Sequence, residues 1–279
     1  MTQTSWKLDG PLLLVGAGKM GRALIEGWLT KRVIDPANIF IWDPYLSNNE
    51  TQSFNSLGIS WEGPLTFCQL PSVVVMAVKP QVMEGVFPGF AREKIGLNTV
   101  TLSIAAGKPI ASFEAHLPPA SAVVRAMPNT PAAIGCGMTV LCANTHTTQT
   151  QRALCERLMA AVGEVGWIGD ELLMDAVTAV SGSGPAYVFL LAEAMTNAGI
   201  KAGLDPAIAA KLARATIAGS GELLRQSPNV DAAKLRENVT SPGGTTAAAL
   251  EVLMSKDGLP SLMERAVAAA VARGKALSK

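Results

Sequence analysis

Histidine is almost missing from this chain, which has only His116 and His146. A structural zinc site would therefore need an unusual ligand set, and no metal is expected. The cysteines Cys68, Cys136, Cys142 and Cys155 form no C-x-x-C pair and no framework spacing, so reduced, structural thiols are expected. Neither sign of charge dominates: the formal net charge of +1 leaves no basic face for nucleic acid and no polybasic membrane tail. Residues 1–10 are polar, and the apolar run after them is far shorter than a signal h-region or a membrane span. These absences predict a soluble, cytoplasmic protein with a small-molecule partner. A solenoid is excluded too, because no repeat of about 20–50 residues is visible.

What is present is apolar and ordered. With 49% hydrophobic and 16% charged residues over 279 positions, the chain can bury a substantial core in one large domain or two ordinary ones. Its organising stretch is Leu12-Leu13-Leu14-Val15, a buried strand, followed by Gly16-Ala17-Gly18-Lys19-Met20-Gly21 and a helix start. This G-x-G-x-x-G pattern fits a dinucleotide turn: Gly16 turns the chain, Gly18 admits a pyrophosphate, and Gly21 packs helix on strand. The helix start offers N–H groups and a positive dipole end to the phosphates. A second strand, Ile39-Phe40-Ile41-Trp42, ends in Asp43 about 20 residues beyond the last glycine, where such folds read the adenosine ribose. Taken alone Asp43 favours NAD(H); the bland alternative is a strand-end cap before Pro44.

Further strands are predicted at 72–78, 100–104 and 122–126, alternating with helical stretches, as in a parallel sheet with right-handed crossovers. Ligands of such sheets lie beyond the carboxyl ends of the strands, so the glycine turn, Asp43, Val78-Lys79-Pro80 and Ala105-Ala106-Gly107 share one rim. Lys79 is equally readable as a solvated loop residue. Ala105 and Ala106 leave room for a flat nicotinamide or are loose packing at a strand end. Met127-Pro128-Asn129-Thr130-Pro131 is a stiff turn that suits either a site or a plain corner. Near Gly169 the texture changes: beyond Trp167 the only aromatics are Tyr187 and Phe189, and alanine-rich helical stretches follow at 172–180, 185–198, 206–225, 232–238, 245–256 and 260–276. The predicted division is 1–168, a dinucleotide-binding domain, and 169–279, a helical dimerisation and substrate domain. So few large side chains leave the second half short of a core, and a homodimer through it is the natural completion.

Two polar stretches of the second half exceed what a bundle needs: Ser181-Gly182-Ser183-Gly184-Pro185-Ala186-Tyr187, and Asn238 through Ser241-Pro242-Gly243-Gly244-Thr245-Thr246. Both open helices, and the bare glycine pair suits a small carboxylate. Thr245 and Thr246 add hydroxyls that either serve a ligand or cap the helix.

These segments together resemble the pyrroline-5-carboxylate reductase family, in order and with family-like spacing from about Leu12 to the final helix. The resemblance implies an α/β architecture, an N-terminal Rossmann-type parallel sheet domain followed by an all-helical dimerisation domain, and NAD(P)H-dependent reduction of 1-pyrroline-5-carboxylate to L-proline, the last step of proline biosynthesis. It puts cofactor contacts on Gly16, Gly18, Lys19, Met20, Asp43, Val78, Lys79, Pro80, Ala105 and Ala106. Substrate contacts fall on Glu171, Asn238, Gly243, Gly244, Thr245 and Thr246, with Thr246 placed to hydrogen-bond the imine nitrogen and assist proton delivery. The chain departs from the family at Asp43-Pro44, where many relatives carry a small hydroxyl residue, which leaves NADH and NADPH both open. It departs again at Gly63-Pro64-Leu65, where an Asn is often found. A β-hydroxyacid dehydrogenase-like enzyme would need a Lys near the Gly-Gly pair, and none occurs before Lys256. A nucleotide-sensing regulatory dimer would have no use for a carboxylate pocket at Gly243.

Overall fold

The computed structural model describes residues 8–61 and 70–277; Gly63-Pro64-Leu65, Cys68 and most of the polar 1–10 stretch lie outside them. Eight strands form one sheet: β1 (Leu12–Val15), β2 (Ile39–Trp42), β3 (Ser60–Trp61), β4 (Val73–Met76), β5 (Val100–Ser103), β6 (Ala122–Met127), β7 (Gly137–Ala143) and β8 (Gly163–Trp167). Their spatial order is β3-β2-β1-β4-β5-β6-β7-β8, with β1 to β6 parallel. The chain reverses direction of growth between β1 and β4, which makes their carboxyl ends the crevice of the sheet. The parallel expectation stops at β6: β7 runs antiparallel to it, and β8 follows β7. The cause is the proline-flanked turn. A parallel return needs a crossover of a dozen or more residues, whereas Thr130–Ile134 forms a tight 3-10 turn that sends the chain straight back.

The strands are buried on both faces, which explains runs such as Leu12–Val15 and Val73–Met76. Leu12, Leu14, Val73 and Val75 point into one core, and Leu13, Val15, Val74 and Met76 into the other. Helix α1 (Lys19–Thr30) seats Ala23, Leu24, Ile25 and Trp28 on the first of these. Trp28 is fully buried, and its indole N–H donates to the Leu158 carbonyl at 2.9 Å, joining α1 to α5 (Gln149–Ala160). Helix α2 (Asn48–Ser56) starts with a Ser47/Glu50 capping box. Helix α3 (Pro80–Lys94) starts with its proline at the first position, and α4 (Ile110–Glu114) is one short turn, both against the second core.

One charge is buried in the sheet. Arg125 on β6 is only 6% exposed, and its Nη1 donates to Glu171 Oε1 at 3.0 Å. The same oxygen accepts the Ile110 N–H at 2.8 Å, at the start of α4. Burial, and then the nearby Glu171 carboxylate, push the Cys142 thiol up. After Glu171 the predicted helix at 172–180 is broken into a 3-10 turn (Glu171–Leu173), a single α turn, α6 (Met174–Val177), and a π turn (Thr178–Gly182). Side chains compete for this backbone: Thr178 Oγ1 donates to the Met174 carbonyl at 2.8 Å, and Asn129 Nδ2 to the Ser181 carbonyl at 3.3 Å.

The chain divides into two units, 1–182 with 271–279, and 183–270. The division falls after Gly182, where the texture of the sequence suggests 168. The second unit holds α7 (Gly184–Lys201), α8 (Pro206–Gln226), α9 (Ala232–Asn238), α10 (Thr245–Leu253) and most of α11 (Leu259–Leu277). In these helices only Ala209 and Ala213 are buried. Helices α7 and α8 meet through small residues, with Gly199 facing Ala209. Among the described residues no helix is long and apolar enough to cross a membrane.

The Arg125 arrangement has a measurable consequence. Glu171→Ala should lower the stability of the ligand-free protein by about 3 kcal/mol in urea denaturation, since it strands a buried cation. Unchanged stability would mean that the carboxylate serves a bound molecule alone.

Candidate functional site

The first half of the site grows from β1. Gly16 leaves the strand with φ +96°, and its N–H donates to the Trp42 carbonyl at 2.8 Å. A Cβ there would stand 2.9 Å from the Ala77 carbonyl oxygen, so only glycine lets the chain turn this close to β4. Gly18 is exposed, with nothing within 4 Å of where a side chain would begin. It is the N-cap of α1, which has no side-chain cap and no acid in its first turn. The first amides of a helix have no partner within it, so those of Lys19 and Met20 are available to an anion. Met20 packs its side chain on the core and Lys19 is exposed.

These residues open into a cleft of about 440 Å³ lined by Gly16, Gly18, Asp43, Val78 and Lys79, together with Trp42, Tyr45 and Val82. Five of the residues assigned to the cofactor thus share one hollow at the switch point of the sheet. Pro80 opens α3 beside it, while Ala105 is buried and Ala106 exposed in the segment after β5. Asp43 is fixed from two sides: Ala17 N–H donates to Oδ2 at 2.9 Å and Tyr45 N–H to Oδ1 at 3.0 Å. The apolar lining of Trp42, Tyr45, Val82 and Val86 was not singled out from the sequence. Its one signal there is an aromatic two positions after the acid, and Tyr45 is 88% exposed. This shape and donor set fit a dinucleotide: open amides for the pyrophosphate, a carboxylate for the ribose, and an apolar wall for a flat ring.

Glu171, assigned to the substrate side, accepts hydrogen bonds from Arg125 and from the Ile110 N–H within the first unit. By holding Ile110 it fixes the end of the segment that carries Ala105 and Ala106. Asn129 ties the stiff turn to the π turn, donating to Ser181 and accepting the Met138 N–H at 2.8 Å.

In the second unit Asn238 ends α9 and is exposed. Gly243 has φ +67° with open space where a side chain would stand, and Gly244, not a threonine, is the N-cap of α10. This helix also lacks a side-chain cap and a first-turn acid, so the Thr245 and Thr246 hydroxyls are not spent on capping. The start of α10 is thus left without a side-chain cap, with the Gly244 N–H donating to the Ser241 carbonyl at 3.0 Å. Among the described residues no group of three His, Cys, Asp or Glu side chains could hold a metal ion.

Known proteins share both halves. A family model described as pyrroline-5-carboxylate reductase dimerisation matches residues 171–277, and one described as NADP oxidoreductase, coenzyme F420-dependent, matches 12–107. A pyrroline-5-carboxylate reductase of Synechocystis is 38% identical, covering 95% of this chain and 97% of its own. The solved structure of a pyrroline-5-carboxylate reductase from Coxiella burnetii superposes with TM-score 0.88 at 34% identity, over 97% of this chain and 99% of that one. A pyrroline carboxylate reductase of Plasmodium falciparum, solved with NADP bound, superposes with TM-score 0.79 at 28% identity, over 98% and 100%. Since the identity of the first of these relatives runs through almost the whole of both chains, this chain belongs to the pyrroline-5-carboxylate reductase family.

Proposed function

We infer that the chain reduces the C=N bond of 1-pyrroline-5-carboxylate with NAD(P)H and releases L-proline. The observation that carries this is the pair of glycine-led helix starts, α1 and α10, each bare of a side-chain cap and each suited to an anion. The bound reduced nicotinamide supplies the hydride. The chain's own residues bind and orient. Gly16, Gly18 and the amides of Lys19 and Met20 hold the pyrophosphate; Asp43 takes the ribose; Val78, Lys79 and Pro80 wall the cleft, and Ala105 with Ala106 leave space for the ring. The Gly244 N–H is taken by the Ser241 carbonyl at 3.0 Å and shapes the turn, and the amides of Gly243 and Thr245, with Asn238 nearby in sequence, hold the substrate carboxylate. Thr246 Oγ1 donates to the ring nitrogen, which draws electrons from the C=N carbon and is protonated as the bond is reduced. Glu171 contributes from the first unit by holding, through Ile110 and Arg125, the segment that carries Ala105 and Ala106. Holding the two reactants in register accounts for most of the acceleration.

We place the functional boundary near Gly169 and read the helical part as the surface of a homodimer. Phe189 at 67%, Leu190 at 63%, Leu223 at 60% and Val252 at 71% exposure leave too much apolar area on one chain. A cytoplasmic location suits an enzyme drawing on reduced nicotinamide, and a formal net charge of +1 does not favour a nucleic-acid partner.

Incubation with pyrroline-5-carboxylate should oxidise NADH or NADPH and yield proline; failure with both cofactors would overturn the reading. Thr246→Ala should cut kcat by about 100-fold with little change in cofactor Kd, and an unchanged kcat would remove Thr246 from proton delivery. Sedimentation at micromolar concentration should give a dimer or a multiple of it, and a lone monomer would contradict the helical interface.

A further inference from the structure

We propose that Asp43 makes the cofactor cleft selective for NADH over NADPH. This rests on the reading that the cleft takes a nicotinamide dinucleotide, and it names which one.

The carboxylate is preset for a vicinal diol. Each of its oxygens accepts one backbone N–H, from Ala17 and from Tyr45, and an ionised carboxylate oxygen has room for a second donor. Two acceptor positions are left, one per oxygen, for the 2′- and 3′-hydroxyls of a ribose. The two N–H bonds fix the rotation of the group, and the Ala17 bond ties it to the turn that holds the pyrophosphate. Asp43 therefore cannot swing aside without giving up contacts inside the glycine turn itself. Its backbone is held too, since Trp61 Nε1 donates to the Asp43 carbonyl at 3.3 Å.

A 2′-phosphate would meet this carboxylate on a strand and turn that supply no cation of their own to offset it. No Lys or Arg stands anywhere between Arg32 and Lys79, a stretch that contains β2, the turn after it, α2, β3 and the segment on to β4. Among the described residues Arg22 is the cation that hydrogen-bonds the glycine turn, and it is already engaged. Its Nε donates to the Ala17 carbonyl at 2.9 Å, and its Nη2 pairs with Glu50 Oε1. Hydrogen bonds from Ser47, with help from Arg22, hold the Glu50 carboxyl down at about 2, so Glu50 stays ionised at neutral pH and keeps the Arg22 charge paired. Lys19 and Lys79 belong to the glycine turn and to the end of β4, with β1 lying between β4 and β2. Lys79 lines the cleft with Asp43, but it starts from the far side of β1, and Lys19 starts from the glycine turn, so both set out from where the pyrophosphate that both cofactors carry would lie.

The test is direct binding of NADH and of NADPH to the purified full chain by titration calorimetry, with no substrate present. NADH should bind on the order of 100-fold tighter, the scale of an uncompensated charge repulsion at a partly screened site. Asp43→Ser should close most of that gap by weakening NADH and strengthening NADPH. Asp43→Ser with Pro44→Arg, which adds a cation at an exposed position lining the cleft, should reverse the preference. Equal affinities in the unaltered protein, tighter NADPH, or a ratio that Asp43→Ser leaves unchanged would overturn the proposal. Selective NADH binding without oxidation by pyrroline-5-carboxylate would support it while overturning the proposed reaction. Binding of neither dinucleotide would overturn both.

Discussion

A helix that starts without a side-chain cap leaves its first amides to be satisfied from outside, and α1 starts this way behind Gly18. Much of the first unit follows from that start. The turn must be tight enough to aim the helix at the sheet crevice, which requires the positive φ of Gly16. The helix must lie close on β1, where a side chain at Gly21 would overlap the Gly16 carbonyl. Its far end must then be anchored, and Trp28 does this by burying its ring and giving its N–H to Leu158. The fully buried strands on either side supply the stiff platform. Their burial is worth about 25 cal/mol per Å² of apolar surface removed from water, which offsets the cost of fixing the turn.

The two units treat apolar surface in opposite ways. In the first, the sheet is covered on both faces and its large side chains are hidden. In the second, α7 to α11 bury no side chain larger than alanine. Helices rich in alanine and glycine approach closely, as Gly199 and Ala209 do, but such contacts remove little area from water. The outward leucines and Phe189 are therefore apolar surface left uncovered by the single chain, which is what the proposed homodimer would bury.

Elements with a strong local signature were legible in the sequence. Unbroken apolar runs became β1, β4, β5 and β6, and Gly16 to Gly21 became the turn and first residues of α1. What failed to show locally depended on partners far along the chain. The reversal at β7 lay in a turn whose stiffness was evident but whose direction was not. The break after Glu171 was hidden because 172–180 has ordinary helical spacing; Asn129 alters it from outside that window. Glu171 reads as a polar residue near a domain boundary, and only folding brings Arg125 and Ile110 to it. The threonine pair posed the opposite problem. Either residue could have been a cap, and it took the backbone to give that role to Gly244.

Both molecules assigned to this protein are anions, yet its net charge is only +1. Two helix starts resolve this. Each presents partial positive charge equivalent to about half an elementary charge, fixed in direction and confined to the first turn. Backbone amides do not titrate, so this attraction is constant across the pH range in which the substrate carboxylate is ionised. They also have no long side chain to order on binding, which spares the entropy that a lysine or arginine clamp loses. The same economy explains the place of Asp43. Where the attraction for phosphate is local and modest, one carboxylate fixed a strand away weighs more in the proposed choice between dinucleotides than it would beside a cationic clamp.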